Sequence, residues 1–247
     1  MANAMKQRLG VSAEQLGTSG EPATGPIAAV LEYVDAGVKL LLPRYSRYFA
    51  SLLGLESDDV YLDVACGSGV FLRRRAGHVH RVAGIDHTRS GIGLARRLLR
   101  KRLDEGSAQL VLADAVELPW PDATFTAASC NCLDCFAPGK PAQTVAEMHR
   151  VLRPGGRVVI GLETSMSDPE SAIAAMHPIL RPVGRVLARV FAGSRYEDPG
   201  RARAYEQRTG MSMFTDEEFK SLLEDAGFTQ VSLPAGTWSR FATARRE

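Results

Sequence analysis

The sequence predicts an α/β fold with a doubly wound, mainly parallel sheet of seven strands, a C-terminal antiparallel hairpin and a lid insertion. Two observations lead to this prediction. Over residues 60–161, short apolar runs typical of buried strands alternate with amphipathic helical segments. Near the C-terminus, a turn containing Pro and Gly joins two further apolar runs, so we expect these two strands to pair antiparallel.

Each predicted strand of the parallel part is a short apolar run followed by polar or small residues. The five are Val60–Val64, Arg81–Ile85, Gln109–Leu112, Phe125–Cys130 and Arg157–Gly161. Helical spacing predicts helices over 71–75, 90–102, 142–152 and 215–226, and the hairpin strands are 229–233 and 238–244. The last helix begins with a capping box, because Glu218 follows Thr215 by three residues, and Gly227 ends it.

The segments outside this alternation define the predicted regions of the chain. Residues 1–26 are rich in Gly, Ser, Ala and Thr and are expected to form a flexible N-terminal arm. Residues 27–56 have helical spacing and are expected to form an N-terminal helical cap. Residues 57–247 form the core, interrupted at 163–213 by a segment rich in Pro, Gly and Arg that we interpret as a lid insertion.

The composition limits the classes of function. A net charge of +2 argues against a protein that mainly coats nucleic acid or an anionic membrane. No apolar run is long enough to span a bilayer, and the N-terminus does not resemble a secretory signal. Four cysteines do not make a disulfide framework, so we expect a cytoplasmic protein. Three of the four lie at 130–135, and their C-x-C-x-x-C spacing is not that of zinc sites, so no metal is expected.

The stretch VYLDVACGSGVF at 60–71 predicts a ligand-binding loop. In an open α/β sheet, ligands bind beyond the carboxyl ends of the strands. Gly67 and Gly69 would let the backbone approach such a ligand without interference from a Cβ atom. The dinucleotide fingerprint requires a third glycine where this chain has Leu72, so a pyrophosphate ligand is disfavoured.

Three aspartates define the kind of ligand. Asp63 precedes the glycine loop, where a carboxylate can receive an ammonium group. Asp86 ends the next predicted strand and is placed to accept hydrogen bonds from ribose hydroxyls. Asp114 follows the third strand and can accept from an adenine amino group. A ligand with an amino acid, a ribose and an adenine but no phosphate matches this set, and S-adenosylmethionine is such a ligand.

Four blocks of the chain resemble the class I S-adenosylmethionine-dependent methyltransferases, in the small-molecule branch that includes the ubiquinone and menaquinone biosynthetic enzymes. The blocks are LDVACGSGVF at 62–71, VAGIDHTRSGIGLAR at 82–96, LADAVELPWPDATFTAASC at 112–130 and MHRVLRPGGRVVI at 148–160. They cover roughly residues 57–162, with a fainter match through 213–246. The resemblance implies a Rossmann-like fold with a reversed terminal hairpin and S-adenosylmethionine as the cofactor.

The resemblance also implies roles for individual residues. At the methionine part of the cofactor it places Asp63, Ala65, Gly67 and Gly69, with Cys130 and Asn131 near the methionine carboxylate and the sulfonium. It places Asp86 at the ribose, with His87 beside it along the adenine, and it places Asp114 and Ala115 at the adenine edge. It places Tyr45 over the cofactor. Asp134, where the family often has a polar residue facing the substrate, and His177 in the predicted lid are the candidate general bases.

The expected function is methyl transfer to an O, N or C atom of a small-molecule acceptor, in cofactor or secondary metabolism. Two alternatives of other classes stay open: a non-catalytic S-adenosylmethionine-binding module, and an NAD(P)-dependent oxidoreductase with the same fold. A methyltransferase that acts on RNA or protein would require a continuous basic surface or a peptide groove. The basic run at 96–102 does not indicate such a surface, because we interpret it as a solvated helix face. The acceptor and the oligomeric state are not predicted.

Overall fold

A computed structural model of the chain describes residues 43–162, 207, 211–234 and 240–247. The helices are α1 (Pro43–Leu53), α2 (Val70–Arg75), α3 (Arg89–Leu98), α4 (Arg100–Asp104), α5 (Lys140–Val151) and α6 (Asp216–Asp225). The strands are β1 (Val60–Val64), β2 (Arg81–Asp86), β3 (Ala108–Leu112), β4 (Phe125–Cys130), β5 (Leu152–Leu162), β6 (Thr229–Ser232) and β7 (Arg240–Arg245). The predicted arm, the cap before residue 43 and most of the predicted lid lie outside the described residues.

The seven strands of the described ranges form one sheet in the order β3-β2-β1-β4-β5-β7-β6. Strands β1 to β5 pair in parallel, whereas β7 lies antiparallel to both β5 and β6. The chain therefore has the predicted Rossmann-like architecture, and its reversed terminal hairpin is confirmed. The strand order changes direction between β1 and β4, which opens a crevice at their carboxyl ends.

Helices cover both faces of the sheet, so the strands are buried on either side. One face packs Leu62 and Val64 of β1 against Met148 of α5 and Leu223 of α6. The other face packs the remaining apolar positions under helices α1 to α3. Its core includes Phe49, Tyr61, Leu72, Ile92, Leu110 and Phe241. The strands are therefore almost continuously apolar, and a polar side chain buried within them requires a hydrogen-bond partner.

The helix predicted over 90–102 is divided in two. Its first part, α3, ends at Leu98, and α4 begins at Arg100. Leu99 between them is 2% exposed because its side chain packs into the core beside Gly69. On α4, Arg102 donates to the carbonyl oxygens of Ala76 at 2.8 Å and Val79 at 2.5 Å. These contacts fix α4 against the connection between α2 and β2.

A second difference concerns the ends of α5 and β5. The helix begins at Lys140 and ends at Val151, earlier at both ends than predicted. Strand β5 then begins at Leu152, which pairs with Phe125, and it runs through the glycine pair before the predicted strand. The pairing register shifts between Phe125 and Ala127, so the early residues of β5 form an irregular extension of the strand.

Arg157 of β5 fastens α1 to the core. Its Nε donates to the Leu53 carbonyl oxygen at 2.6 Å, and its Nη2 donates to the Gly54 carbonyl oxygen at 2.8 Å. The same guanidinium forms an ion pair with Asp59, which is 5% exposed. Burial raises the pKa of Asp59, but hydrogen bonds from Glu56, Thr126 and Arg157 outweigh it, and the net pKa is lowered.

Candidate cofactor-binding site

Four polar side chains lie at the carboxyl ends of four adjacent strands. Asp63 is in β1, Asp86 ends β2, Asp114 follows β3 and Asn131 follows β4. Since the strand order is β3-β2-β1-β4, the spatial order is Asp114, Asp86, Asp63, Asn131. The structure thus brings together residues that are dispersed over 69 positions of the sequence, from 63 to 131. The reversal of strand order falls between Asp63 and Asn131, where open α/β sheets bind ligands.

The loop between β1 and α2 alternates left-handed residues with ordinary ones. Ala65, Gly67 and Gly69 have φ angles of 56°, 51° and 71°. A Cβ atom on Gly69 would lie 2.9 Å from the Cβ of Ala95, so the loop rests directly on α3. Glycine at 67 and 69 is therefore required by backbone conformation and, at 69, by packing. Ala65 holds the same conformation with a side chain, which costs about 1 kcal/mol.

Asp86 connects this loop to the start of α3. Its Oδ2 accepts from the Gly67 N–H at 2.7 Å, and its Oδ1 accepts from the Thr88 N–H at 2.9 Å and the Thr88 hydroxyl at 2.6 Å. Burial raises the pKa of Asp86 against the opposing effect of these hydrogen bonds. An ionised carboxylate accepts about four hydrogen bonds, so these three donors leave capacity for another. The ribose-binding role of Asp86 stays a prediction, and its loop-organising contacts are an addition to it.

A cleft opens beside the glycine loop at the junction of β1 and β4. Its lining consists of Asp63, Ala65, Cys66, Ser68, Val70, Phe71 and Asn131. Asp63 is 4% exposed, and its Oδ1 accepts a hydrogen bond from the Ser129 hydroxyl at 2.8 Å. Among the described residues, the lining contains a carboxylate and an amide but neither Lys nor Arg, so this part of the cleft favours a ligand that carries positive charge.

The predicted adenine side of the site is more exposed. The Asp114 Oδ2 accepts from Lys140 Nζ at 2.5 Å, and its Oδ1 accepts from the Val116 N–H at 3.3 Å. Burial raises the pKa of Asp114, but these hydrogen bonds and the charge of Lys140 outweigh it and lower the net value. His87 is 58% exposed, with its Nδ1 4.0 Å from Asp86 Oδ1. Ala115 is buried in the adjacent core.

The segment after β4 carries the remaining predicted residues. The Cys130 side chain lies in the core that includes Leu62 and Val64, and its hydrogen bond with Cys132, together with burial, raises the pKa of the Cys130 thiol well above its ordinary value. Asp134 is 1% exposed in a 3-10 turn, and its carbonyl oxygen accepts from the Ser212 N–H at 2.9 Å. This contact places the end of the predicted lid segment beside Asp134.

Two predicted residues have no described side chain. His177 lies outside the described residues, and Tyr45 belongs to α1 but its side chain is outside what the structure describes. The proposed contacts of both with cofactor or acceptor stay predictions. Across the described ranges, no group of three or more His, Cys, Asp or Glu side chains is arranged to hold a metal ion.

The structure adds residues that the sequence did not single out. Cys66, Ser68, Val70 and Phe71 line the cleft, yet within the motif they read as spacers between glycines or as helix residues. Ser129 is the less obvious addition. In the sequence, Ser129 is recognisable only as a polar residue inside the mainly apolar run 125–130. Its hydrogen-bond partner Asp63 is 66 residues away. The register of β1 and β4, which sets Asp63 opposite Ser129, supplies that partner.

The comparisons with known proteins agree with this geometry. A family model described as a methyltransferase domain matches residues 62–156. The demethylmenaquinone methyltransferase of Staphylococcus aureus is 30% identical over 192 residues, covering 75% of this chain and 74% of the relative. That of Staphylococcus saprophyticus is 29% identical over 195 residues, covering 75% and 76%. A putative S-adenosylmethionine-dependent methyltransferase of Methanococcus maripaludis has the same fold, with a TM-score of 0.63 at 14% identity over 93% of this chain and 97% of its own.

The fold and the cleft define a protein of the class I methyltransferase type. The chain belongs to the S-adenosylmethionine-dependent methyltransferase family, in its small-molecule branch. Its cofactor is S-adenosylmethionine, and the residues present fit that molecule because the cleft lining includes a buried carboxylate, Asp63, that suits a positively charged ammonium group. Leu72, in place of a third glycine, is fully buried against the sheet. No helix of the described ranges combines the length and apolarity that crossing a bilayer would take.

Proposed function

We propose that this enzyme methylates a small molecule related to demethylmenaquinone, with the amino-acid part of S-adenosylmethionine in the cleft between β1 and β4. The observation that carries the proposal is the Asp63–Asn131 cleft at the reversal of strand order, to which the part of the chain that the structure describes contributes no cationic side chain. Identity to demethylmenaquinone methyltransferases supports the class of acceptor. The proposed roles are those of the sequence: Asp63 toward the ammonium group, Asp86 toward the ribose and Asp114 toward the adenine.

When bound, the cofactor supplies a methyl group that is already activated by its sulfonium charge. The protein therefore has to align the acceptor with the methyl carbon and to exclude water rather than to activate the methyl donor. The left-handed loop at 65–69 supports this by bringing backbone, instead of long side chains, to the cleft. Phe71 contributes an apolar wall and is itself held by Phe49, whose ring centroid lies 5.2 Å away.

The acceptor side is proposed to lie at the turn after β4. Asp134 is buried there, and the Ser212 hydroxyl and N–H donate to the Phe136 carbonyl oxygen at 2.9 Å and 3.2 Å. These bonds tie the segment that returns from the predicted lid to this turn. An oxygen or carbon acceptor has a proton to lose, and Asp134 and His177 are the proposed groups that take it.

The test is transfer of a labelled methyl group from S-adenosylmethionine to demethylmenaquinone, to a panel of small metabolites, and to RNA and protein. We expect label in an extractable small molecule. Asp86→Ala should abolish this transfer, whereas Asp104→Ala, which changes an exposed carboxylate on α4, should leave it unchanged. Label found only in RNA or protein would refute the proposal. Tight cofactor binding without transfer to any acceptor would favour a binding module instead.

A further inference from the structure

Three polar side chains lie together inside the otherwise apolar core under α1 and α2. Tyr61 and Ser129 have no exposed surface, and Asp63 is 4% exposed. Tyr61 and Asp63 are two residues apart in β1 and so point to the same face of the sheet. Ser129 of β4 is the register partner of Asp63. Its Oγ lies 2.5 Å from the Tyr61 hydroxyl oxygen and 2.8 Å from Asp63 Oδ1.

The chemistry of the three groups fixes the direction of these hydrogen bonds. An ionised carboxylate only accepts, so the single hydroxyl proton of Ser129 is donated to Asp63. The Tyr61 hydroxyl then keeps its own proton for the Ser129 oxygen or for Asp63, with which it also interacts. Burial, assisted by the negative charge of Asp63, raises the pKa of Tyr61 well above its ordinary value, which keeps the phenol protonated and able to donate. Tyr61 and Ser129 therefore form one hydrogen-bonded group with Asp63, whose carboxylate lines the cleft.

We infer that Tyr61 and Ser129 are positioning residues that orient the Asp63 carboxylate for the ammonium group of the cofactor's amino-acid part. The inference rests on the proposed role of Asp63. A carboxylate at the end of a strand can rotate about its side-chain bonds, and a hydrogen bond from a fully buried serine restricts that rotation. Tyr61 and Ser129 are fully buried and are not among the described residues that line the cleft, so they would act on a ligand through Asp63.

The test compares two ligands by calorimetry. S-adenosylhomocysteine carries the amino-acid part, whereas 5′-methylthioadenosine has the same nucleoside without it. For Ser129→Ala we expect S-adenosylhomocysteine to bind about tenfold more weakly, since Asp63 loses a charge-assisted hydrogen bond. For Tyr61→Phe, which keeps the ring beside Phe71, we expect a loss of about threefold. Binding of 5′-methylthioadenosine should change by less than about twofold in both variants.

Asp63→Asn, measured alongside, separates this inference from the function on which it rests. If Asp63→Asn weakens only S-adenosylhomocysteine while Tyr61→Phe and Ser129→Ala bind both ligands like the wild type, the positioning role is wrong and the proposed role of Asp63 stands. If Asp63→Asn changes neither affinity, the proposed role itself is wrong and the inference falls with it. Equal weakening of both ligands in Ser129→Ala or Tyr61→Phe would show a purely structural role and overturn the inference. Should Ser129→Ala fail to fold, Tyr61→Phe still tests the positioning role, because it removes only the hydroxyl oxygen and retains the ring.

Discussion

Replacing Asp86 with asparagine should damage the fold of the glycine loop as well as cofactor binding. Each oxygen of the Asp86 carboxylate accepts from a different backbone N–H, Gly67 on Oδ2 and Thr88 on Oδ1. An asparagine has one oxygen and one NH₂ group, so in either orientation the NH₂ faces one of these two N–H groups. Asparagine, although almost the same shape as aspartate, cannot replace both bonds.

The size of the effect follows from the burial of the site. Asp86 is 7% exposed, and a buried N–H left without an acceptor costs about 1–3 kcal/mol. Loss of the hydrogen bonds to a charged acceptor adds to this cost. The raised pKa of Asp86 shows that burial disfavours its charge, so removing that charge offsets part of the lost stability. We expect a net destabilisation of about 1–3 kcal/mol, or about 2–12 °C in Tm for a chain of this size.

The assay is thermal unfolding without ligand, followed by calorimetric titration with S-adenosylhomocysteine. Asp104→Asn is the matched control, because it makes the same substitution at an exposed site on α4 and should unfold like the wild type. If Asp86→Asn keeps the wild-type Tm to within about one degree, its bonds to the loop contribute nothing and the reasoning fails. If Asp86→Ala keeps wild-type affinity for the ligand, the ribose role is refuted as well.

Three further predictions concern stability. Ala65→Gly should raise the free energy of unfolding by up to about 1 kcal/mol in urea denaturation, because the left-handed φ of 56° disfavours a Cβ; a lower stability would contradict this strain. Gly84→Ala should lower the free energy of unfolding by about 1–3 kcal/mol, since the new Cβ would lie 2.8 Å from the Cys66 sulfur. Gly93→Ala is the control, because a Cβ there meets open space on α3 and should not destabilise the protein. Equal effects of the two substitutions would refute the packing argument. Asp59→Asn should lower the free energy of unfolding by about 1–3 kcal/mol at neutral pH. Because the folded pKa of Asp59 is lowered, its contribution is present above about pH 4 and is lost as the pH falls through the folded value, so the variant's stability should depend less on pH in that range than the wild type's.

Much of the fold follows from local sequence. The mainly apolar runs at 60–64 and 125–130 are strands with the predicted bounds, because a strand covered on both faces is apolar at most of its positions. The capping box of α6 is confirmed, with the Thr215 hydroxyl accepting from the Glu218 N–H at 3.1 Å and the Glu218 carboxylate accepting from the Thr215 N–H at 2.7 Å. Such signals reside in a few neighbouring residues, so they can be recognised before any tertiary structure is known.

The site shows the limit of this reasoning. The positions of Asp63, Asp86 and Asp114 at the ends of strands could be predicted from the sequence, and so could the kind of ligand. The pairing of Asp63 with Ser129, and the second use of Asp86 as an acceptor for the loop, could not. Both depend on strands and loops that are remote in the chain and adjacent in the sheet.

By itself, the sequence determined the class of fold, the order of its elements and the family, because these are carried by local patterns and by motifs of fixed spacing. Only the tertiary structure decided where α3 ends, how far β5 extends and which groups donate hydrogen bonds to Asp63 and Asp86. The physical reason is that a buried polar or bulky side chain is stabilised by whatever surrounds it in space. For Ser129 and Leu99, that surrounding is supplied by segments far away in sequence.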